Sequence, residues 1–238
     1  MFPEKINEFQ EGQVLIFSKP HYWTSFDLVK KIKRILQKQL NQKIKIGHAG
    51  TLDPLASGLI ILCTGKATKR ISEFQDMNKE YVATIELGKT TPSFDLETEF
   101  DNEYEFKHIT KDLFKSVLKK FVGEIYQIPP AYSAKKHKGK RAYEFARKGV
   151  EIKLKPTRIN IYELELLKFN LPFVELRILC SKGTYIRALA RDIGKALDNG
   201  AYLKTLERTR IGDYCLNDAF TIDGFEKELS NITIHHTE

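Results

Sequence analysis

The sequence has few sulfur-containing residues, with three cysteines and two methionines among 238 residues, and a single tryptophan. The cysteines, Cys63, Cys180 and Cys215, are odd in number and far apart, and no C-x-x-C or H-E-x-x-H spacing occurs. This usage is typical of reduced, buried thiols in a cytoplasmic protein. It predicts neither a disulfide framework nor a metal site.

Long apolar runs are also missing. No stretch approaches the roughly 20 residues needed to cross a bilayer. The first thirteen residues carry charges where a secretion signal would have an apolar core, namely Glu4, Lys5, Glu8 and Glu11. We therefore expect a soluble cytoplasmic protein with no membrane partner.

A phosphate-binding P-loop is excluded by spacing. Gly65 and Lys66 could end the pattern G-x-x-x-x-G-K-[ST], but Ile60 stands in place of the first glycine and Ala67 in place of the hydroxyl residue. Binding of a nucleoside triphosphate is therefore not expected.

Basic residues are in excess. Lys and Arg outnumber Asp and Glu by 39 to 31, which gives a net charge of +8 at pH 7. This balance favours a polyanionic partner such as nucleic acid, although basic charge also serves solubility. The densest basic cluster lies between Tyr132 and Tyr143, and it suits either contacts with phosphates and bases or a solvated loop. Its members are Lys135, Lys136, Lys138, Lys140 and Arg141.

Hydrophobic spacing predicts helices and strands that do not alternate regularly. Strands are predicted at residues 13–18, 79–88, 158–169 and 173–179, and helices at 25–40, 110–121, 141–148 and 184–197, with one or two further helical turns at 201–207. Hairpins outnumber crossovers, so we expect an α+β fold with a mixed, mainly antiparallel sheet. Lysines on the helix at 25–40 are interpreted as its solvated face.

The segment at residues 47–58, Gly-His-Ala-Gly-Thr-Leu-Asp-Pro-Leu-Ala-Ser-Gly, has an unusual composition. Small residues surround His48 and Asp53, and the apolar run at 59–63 predicts a buried strand. A carboxylate on a tight loop leading into the core can be catalytic. Asp before Pro is also a common turn starter, so the residues alone leave both interpretations open.

Extended to Lys69, this segment resembles the signature of the bacterial TruB-type tRNA pseudouridine synthases. Two further stretches are similar to motifs of that family: Ser-Lys-Gly-Thr-Tyr-Ile-Arg at 181–187 and Pro-Pro-Ala-Tyr-Ser-Ala-Lys-Lys at 129–136. The resemblances cover most of residues 13–212. They imply the pseudouridine synthase fold, with helices and loops flanking the sheet around a central cleft.

The resemblance also implies a reaction. The family isomerises uridine 55 in the T-loop of tRNA, so the T-arm stem-loop is the expected partner. The base detaches from the sugar at N1 and reattaches through C5, which requires no cofactor, and it must first be flipped out of its stack. Whether the carboxylate attacks the base, attacks C1′ or abstracts a sugar proton is left open.

The same resemblance implies roles for single residues. Asp53 is the catalytic carboxylate and Arg187 its ionic partner, since a guanidinium binds carboxylate bidentately and keeps its charge. The expected uridine pocket consists of His48, Tyr81, Tyr185 and Leu206. Possible RNA contacts are Ser93, Asp95, Lys135, Lys136, Lys138, Lys140 and Arg141.

Two features depart from the family's pattern. Relatives commonly carry a C-terminal RNA-binding module of the PUA type, whereas only a short tail follows residue 212. We therefore expect a single catalytic domain over residues 1–238, acting as a monomer. The family often shows D-K-P-x-G-x-S-S near its start, and here Tyr22 stands where glycine is usual.

Two other functions remain open at this level. A protein that binds or folds tRNA without essential catalysis would use the same basic surface, but it has no need for an Asp53–Arg187 pair. A glycosidase that uses Asp53 is a weaker alternative, because no second carboxylate stands at a recognisable acid position.

Overall fold

The structure is a computed structural model that describes residues 3–137 and 139–232. It divides into two compact units. The first contains the chain up to Lys79 and from Glu207 onward, and the second runs from Glu80 to Leu206. The architecture is α+β with helices flanking the sheet, as predicted. The single catalytic domain over residues 1–238 stays a prediction.

The helices and strands follow each other irregularly along the chain. They are α1 (Glu8–Gly12), β1 (Val14–Lys19), α2 (Ser25–Leu40), β2 (Ile46–Ala49), β3 (Ala56–Thr64), α3 (Ile71–Asp76), β4 (Lys79–Leu87), β5 (Lys89–Thr90), β6 (Asn102–Glu103), α4 (Lys111–Leu118), β7 (Gly123–Gln127), β8 (Lys136–His137), β9 (Lys140–Arg141), α5 (Ala142–Ala146), β10 (Thr157–Asn170), β11 (Phe173–Cys180), α6 (Ile186–Ala196), β12 (Ala201–Ile211), β13 (Tyr214–Cys215) and α7 (Ile222–Ser230). Short 3₁₀ helices lie at Gly65–Arg70, Lys119–Phe121 and Leu216–Asp218.

The first unit is organised around β3. This strand pairs antiparallel with β1, in a register that sets Val14 opposite Cys63, and with β2, where Ala49 faces Ile61. Helix α2 packs its apolar stripe into the same core, and its buried residues include Leu28, Ile32 and Leu36. Cys63 and Cys180 are buried and form no disulfide, as predicted, and burial raises the pKa of Cys63 to about 11.

Helix α2 begins where the sequence predicted it. The Thr24 side chain accepts a hydrogen bond from the backbone N–H of Asp27 at 3.0 Å, and the Asp27 carboxylate accepts from the Thr24 N–H at 3.1 Å. This reciprocal cap satisfies backbone donors that the first helical turn leaves without partners. It also fixes the point at which the chain leaves β1 and turns into the helix.

The second unit contains a sheet in the order β4, β11, β10, β7, with the first residues of β12 beside β4. Strands β10 and β11 form the predicted hairpin, in which Asn170 faces Phe173. Strand β4 buries Tyr81, Ala83, Ile85 and Leu87, as its alternation predicted. The sheet therefore supplies a rigid base for the loops that precede α6.

The prediction of helical turns at residues 201–207 is wrong. These residues belong to β12, where Ala201, Tyr202 and Leu203 are all buried. Their apolar run fits a helix or a buried strand equally well, and pairing with neighbouring strands decides the outcome. Asn199 lies between α6 and β12, and its side-chain oxygen accepts from the Gly88 N–H at 2.9 Å.

Among the helices of residues 3–137 and 139–232, none is both long enough and apolar enough to cross a membrane.

Candidate active site

Asp53 lies in the loop that connects β2 to β3, as the composition of residues 47–58 predicted. The two strands pair with each other as far as Ala49 and Ile61, and residues 50–55 connect them. The Asp53 side chain is half-buried. The carboxylate therefore lies on a loop between two paired strands.

Backbone contacts on both sides of Asp53 fix its position. The Ser25 hydroxyl accepts from the Leu52 N–H at 2.9 Å and lies 3.1 Å from the Leu52 carbonyl, to which it donates. The Tyr22 N–H donates to the Pro54 carbonyl at 2.8 Å. Because the residues before and after Asp53 are both anchored, the carboxylate has little freedom to move as the loop fluctuates.

Lys19 is a buried cation near this loop that the sequence analysis did not single out. Its ammonium donates to the carbonyls of Trp23 at 2.6 Å and Pro20 at 2.9 Å, and the residue is fully inaccessible to solvent. Burial lowers the pKa of Lys19 to about 8, the negative charge of Asp53 opposes this shift, and the positive charge of Arg208 adds to it. Lys19 and Asp53 are thus electrostatically coupled.

Arg208 is a second buried cation that the sequence analysis missed. Its Nε donates to the Leu59 carbonyl at 2.7 Å and its Nη2 to the Gly50 carbonyl at 3.2 Å. The side chain therefore joins the first residue of the loop that carries Asp53 to strand β3, which follows the loop. In the sequence it looks like an ordinary surface residue, because it stands in a charged stretch with Glu207 and Arg210.

His48, on β2, is half-buried. Burial lowers its pKa, a backbone hydrogen bond with Gly50 opposes the shift, and the charge of Arg208 adds to it. The imidazole is therefore neutral at pH 7, which suits contact with an uncharged base better than contact with a phosphate.

In the second unit, Arg187 lies in the first turn of α6 and is 3% exposed. Its Nη1 donates to the Ser93 carbonyl at 3.1 Å and its Nη2 to the Tyr132 carbonyl at 3.0 Å. Its Nε lies 3.3 Å from Oδ2 of Asp95, whose side chain is also buried. These contacts hold the guanidinium in one orientation.

Ser93 and Asp95 are both buried in the loop that follows β5. The Asp95 carboxylate accepts from the Glu97 N–H at 2.9 Å, and the Asp95 carbonyl accepts from the Thr91 hydroxyl at 2.6 Å. The structure gives this loop the role of positioning Arg187. Contact of Ser93 and Asp95 with RNA stays a prediction.

The two tyrosines of the expected pocket lie on different elements of the second unit. Tyr81 is on β4 and is 8% exposed. Tyr185 is the N-cap residue of α6 and is half-buried. Gln127 holds the Tyr185 backbone, since its side chain accepts from the Tyr185 N–H at 2.9 Å and donates to the Tyr185 carbonyl at 3.1 Å. Leu206 lies on β12 and is partly exposed.

The basic cluster forms the small hairpin of β8 and β9. Lys135, Lys140 and Arg141 are exposed, and Arg141 donates to the Ala134 carbonyl at 2.7 Å. Lys138 and the side chain of Lys136 lie outside the described part of the chain. The hairpin has the exposure that a phosphate contact requires, and its contact with RNA stays a prediction.

The structure thus brings Arg187, Asp95 and Ser93 together in the second unit, while Asp53 and His48 lie in the first. The expected Asp53–Arg187 pair joins residues of different units and stays a prediction. Within residues 3–137 and 139–232, no group of three or more His, Cys, Asp or Glu side chains is arranged to hold a metal ion.

Solved structures with a similar fold show the class of protein to which this chain belongs. The chain superimposes with a TM-score of 0.70 on a chain of a Cbf5-Nop10-Gar1 complex, at 29% identity over 95% of this chain and 58% of that one. It superimposes with a TM-score of 0.67 on a chain of an H/ACA RNP bound to a substrate RNA containing 2'-deoxyuridine, at 28% identity over 96% of this chain and 60% of that one. This chain therefore spans less than two thirds of those chains. The fold is that of the pseudouridine synthases, which are isomerases.

Sequence comparisons narrow the class to one family. Residues 33–186 match the TruB family pseudouridylate synthase (N terminal domain). A relative from Parabacteroides distasonis, called tRNA pseudouridine synthase B, is 61% identical over 88% of this chain and 90% of its own length. Another of that name, from Flavobacterium johnsoniae, is 50% identical over 96% of this chain and all of its own length. The chain belongs to the TruB family of pseudouridine synthases.

Proposed function

We propose that the protein is a tRNA pseudouridine synthase that isomerises uridine 55 in the T-loop of tRNA. The observation that supports this proposal is that Asp53, the residue that the sequence resemblance implies as the catalytic carboxylate, lies on a loop anchored by Ser25 and Tyr22. The names of the relatives and the net charge of +8 support an RNA substrate.

In the proposed reaction, Asp53 acts at the everted nucleoside while the bond from C1′ to N1 breaks. The uracil then turns and its C5 bonds to C1′, after which the C5 proton leaves and N1 takes up a proton. Atoms and electrons balance without an oxidant, a reductant or a cofactor. Asp53 serves this sequence as an ionised carboxylate, whether it forms a covalent bond or removes a proton.

Arg187 is proposed as the ionic partner of Asp53. A guanidinium binds a carboxylate bidentately and keeps its charge, and the contacts to Ser93, Tyr132 and Asp95 hold the Arg187 guanidinium in one orientation. Asp95 would then act as a positioning residue, because it holds the plane of the guanidinium in place.

The everted base is proposed to lie among Tyr81, Tyr185, Leu206 and His48. Aromatic and apolar side chains stabilise a flipped base by stacking. A neutral His48 fits this environment, because burial holds its pKa below the ordinary value. The basic hairpin of β8 and β9 would hold phosphates of the T-arm. We further propose that the protein acts as a monomer in the cytoplasm, without a metal ion.

The proposal is tested with an unmodified tRNA transcript and with an isolated T-arm hairpin. Mass-spectrometric mapping after incubation should find pseudouridine at position 55 in both. Asp53→Asn should form no product and still bind the RNA. Asp213→Asn is the matched control, because Asp213 is an exposed carboxylate of the same unit. Product at another position, or none with the wild type, would refute the proposal, and RNA binding without product would favour a binding protein.

A further inference from the structure

Tyr22 has an unusual backbone and an exposed side chain. Its φ is +66°, in the left-handed region that bulky residues rarely occupy, and its side chain is 75% exposed. The ring lies 4.0 Å from that of His21. Glycine would adopt this backbone without strain. The chain therefore holds a large aromatic side chain in solvent at a position where folding alone favours glycine.

The position of Tyr22 places it beside the catalytic loop. Its N–H bonds to the carbonyl of Pro54, the residue that directly follows Asp53. A nucleoside that reaches Asp53 must therefore bring its neighbours in the RNA strand close to Tyr22.

Helix α2 continues this surface with one exposed aromatic side chain followed by two basic ones. Phe26, Lys30 and Arg34 are spaced four residues apart, so they lie on one face of the helix. Phe26 is 59% exposed, and the Lys30 ammonium lies 4.6 Å from the centre of its ring. A groove of about 390 Å³ runs along this face. It is lined by Tyr22, Trp23, Asp27, Lys30, Lys31 and Arg34.

The charge of this surface is positive where it is open to a partner. The groove is lined by three cations, Lys30, Lys31 and Arg34, and by one carboxylate, Asp27, so its lining carries a net positive charge. Lys30 and Arg34 are exposed. A merely solvated face explains the cations but does not explain two exposed aromatic rings and a strained backbone.

We propose that Tyr22, Phe26, Lys30 and Arg34 form a second RNA-binding surface, here called the α2 surface, which rests on the proposed function. Tyr22 stacks on a nucleotide next to the everted uridine, and Lys30 and Arg34 bind phosphates further along the strand. Stacking on an aromatic side chain and phosphate contacts from neighbouring cations are how proteins bind unpaired nucleotides. The α2 surface thus supplies affinity outside the reaction centre.

The test compares dissociation constants for the unmodified tRNA transcript across a range of salt concentrations. Tyr22→Gly removes the ring and relieves the left-handed backbone, so it should fold normally. It should weaken binding by about 5- to 150-fold, the range that one stacked base accounts for, while Tyr22→Phe binds like the wild type. Replacing Lys30 and Arg34 together by Gln should reduce the slope of log K against log salt by roughly 0.7 to 0.9 for each phosphate lost.

Tyr162→Ala is the matched control, since Tyr162 is a 43% exposed aromatic next to Glu163, and it should leave binding unchanged. Unchanged affinity in Tyr22→Gly, together with an unchanged salt slope in the Lys30 and Arg34 variant, would overturn the proposal. Single-turnover pseudouridine formation with saturating enzyme should stay near the wild-type rate in Tyr162→Ala. A wild type that binds the transcript without forming pseudouridine would refute the proposed function, and the binding comparison would still test the α2 surface.

Discussion

Replacement of Lys19 by methionine should change how the stability of the protein depends on pH. The ammonium is buried, and its pKa is about 8 in the folded protein against 10.5 for the ordinary side chain. Between these two values the unfolded chain binds more protons than the folded one, so the Lys19 contribution to stability rises with pH. Below pH 8 the charged form is buried at full cost, and above pH 10.5 this cost is absent.

The magnitude follows from the two pKa values. From pH 7 to pH 10 the free energy of unfolding of the wild type should rise by roughly 2.5 kcal/mol relative to Lys19→Met. The substitution also removes the donor to the carbonyls of Trp23 and Pro20. That loss shifts the difference by a constant amount and leaves its slope with pH unaffected.

Urea denaturation of both proteins at several pH values measures this difference. NMR of ¹³C-labelled lysine side chains gives the midpoint directly, and the resonance missing from Lys19→Met identifies the signal. Asp53→Asn should lower the Lys19 midpoint below 8, because the Asp53 charge favours the ammonium form. A titration midpoint of Lys19 near 10.5 would refute this account of Lys19 and Asp53. So would a difference in unfolding free energy between the wild type and Lys19→Met that does not vary with pH.

Three further changes test the packing around the site. Asp95→Asn should lower the free energy of unfolding by about 3 kcal/mol in urea titrations, because it removes the charge of the buried carboxylate that contacts the buried Arg187 guanidinium. An unchanged urea midpoint would contradict this. Gly58→Ala should lower the melting temperature clearly more than Gly149→Ala. Both glycines have positive φ, but only a Cβ at Gly58 would collide with the backbone oxygen of Arg208, which would lie 2.4 Å away. Thr24→Ala should lower the free energy of unfolding by about 1 kcal/mol, because it removes the side chain that caps α2. Equal stability of the variant and the wild type would show that the cap contributes nothing.

Local patterns were sufficient to predict much of the fold. The apolar stripe at residues 25–40 predicted helix α2 with its correct start and end. The alternation of Tyr81, Ala83, Ile85 and Leu87 gave β4 its buried face. Residues 201–207 were mispredicted because a short apolar run carries no period, and its conformation depends on neighbours that are distant in the sequence.

The candidate site could be predicted in part. Asp53 was predicted on its loop, since turn residues between two apolar runs are a local signal. The buried cations Lys19 and Arg208 were missed, because charged residues are expected at the surface and only the assembled core shows that these two hold the loop. The contact of Arg187 with Asp95 joins residues 92 positions apart, and no local pattern indicates it.

The most direct test of the central claim is the release of the C5 hydrogen from uridine 55. Pseudouridine carries its sugar on C5, so the hydrogen at that position must leave during the reaction. With tritium at C5 of the transcript and saturating RNA, the wild type should release one equivalent for each molecule converted. Asp53→Asn should release it at least about 10⁴-fold more slowly while its affinity for the RNA is retained. Release by Asp53→Asn at a rate close to that of the wild type would contradict the account.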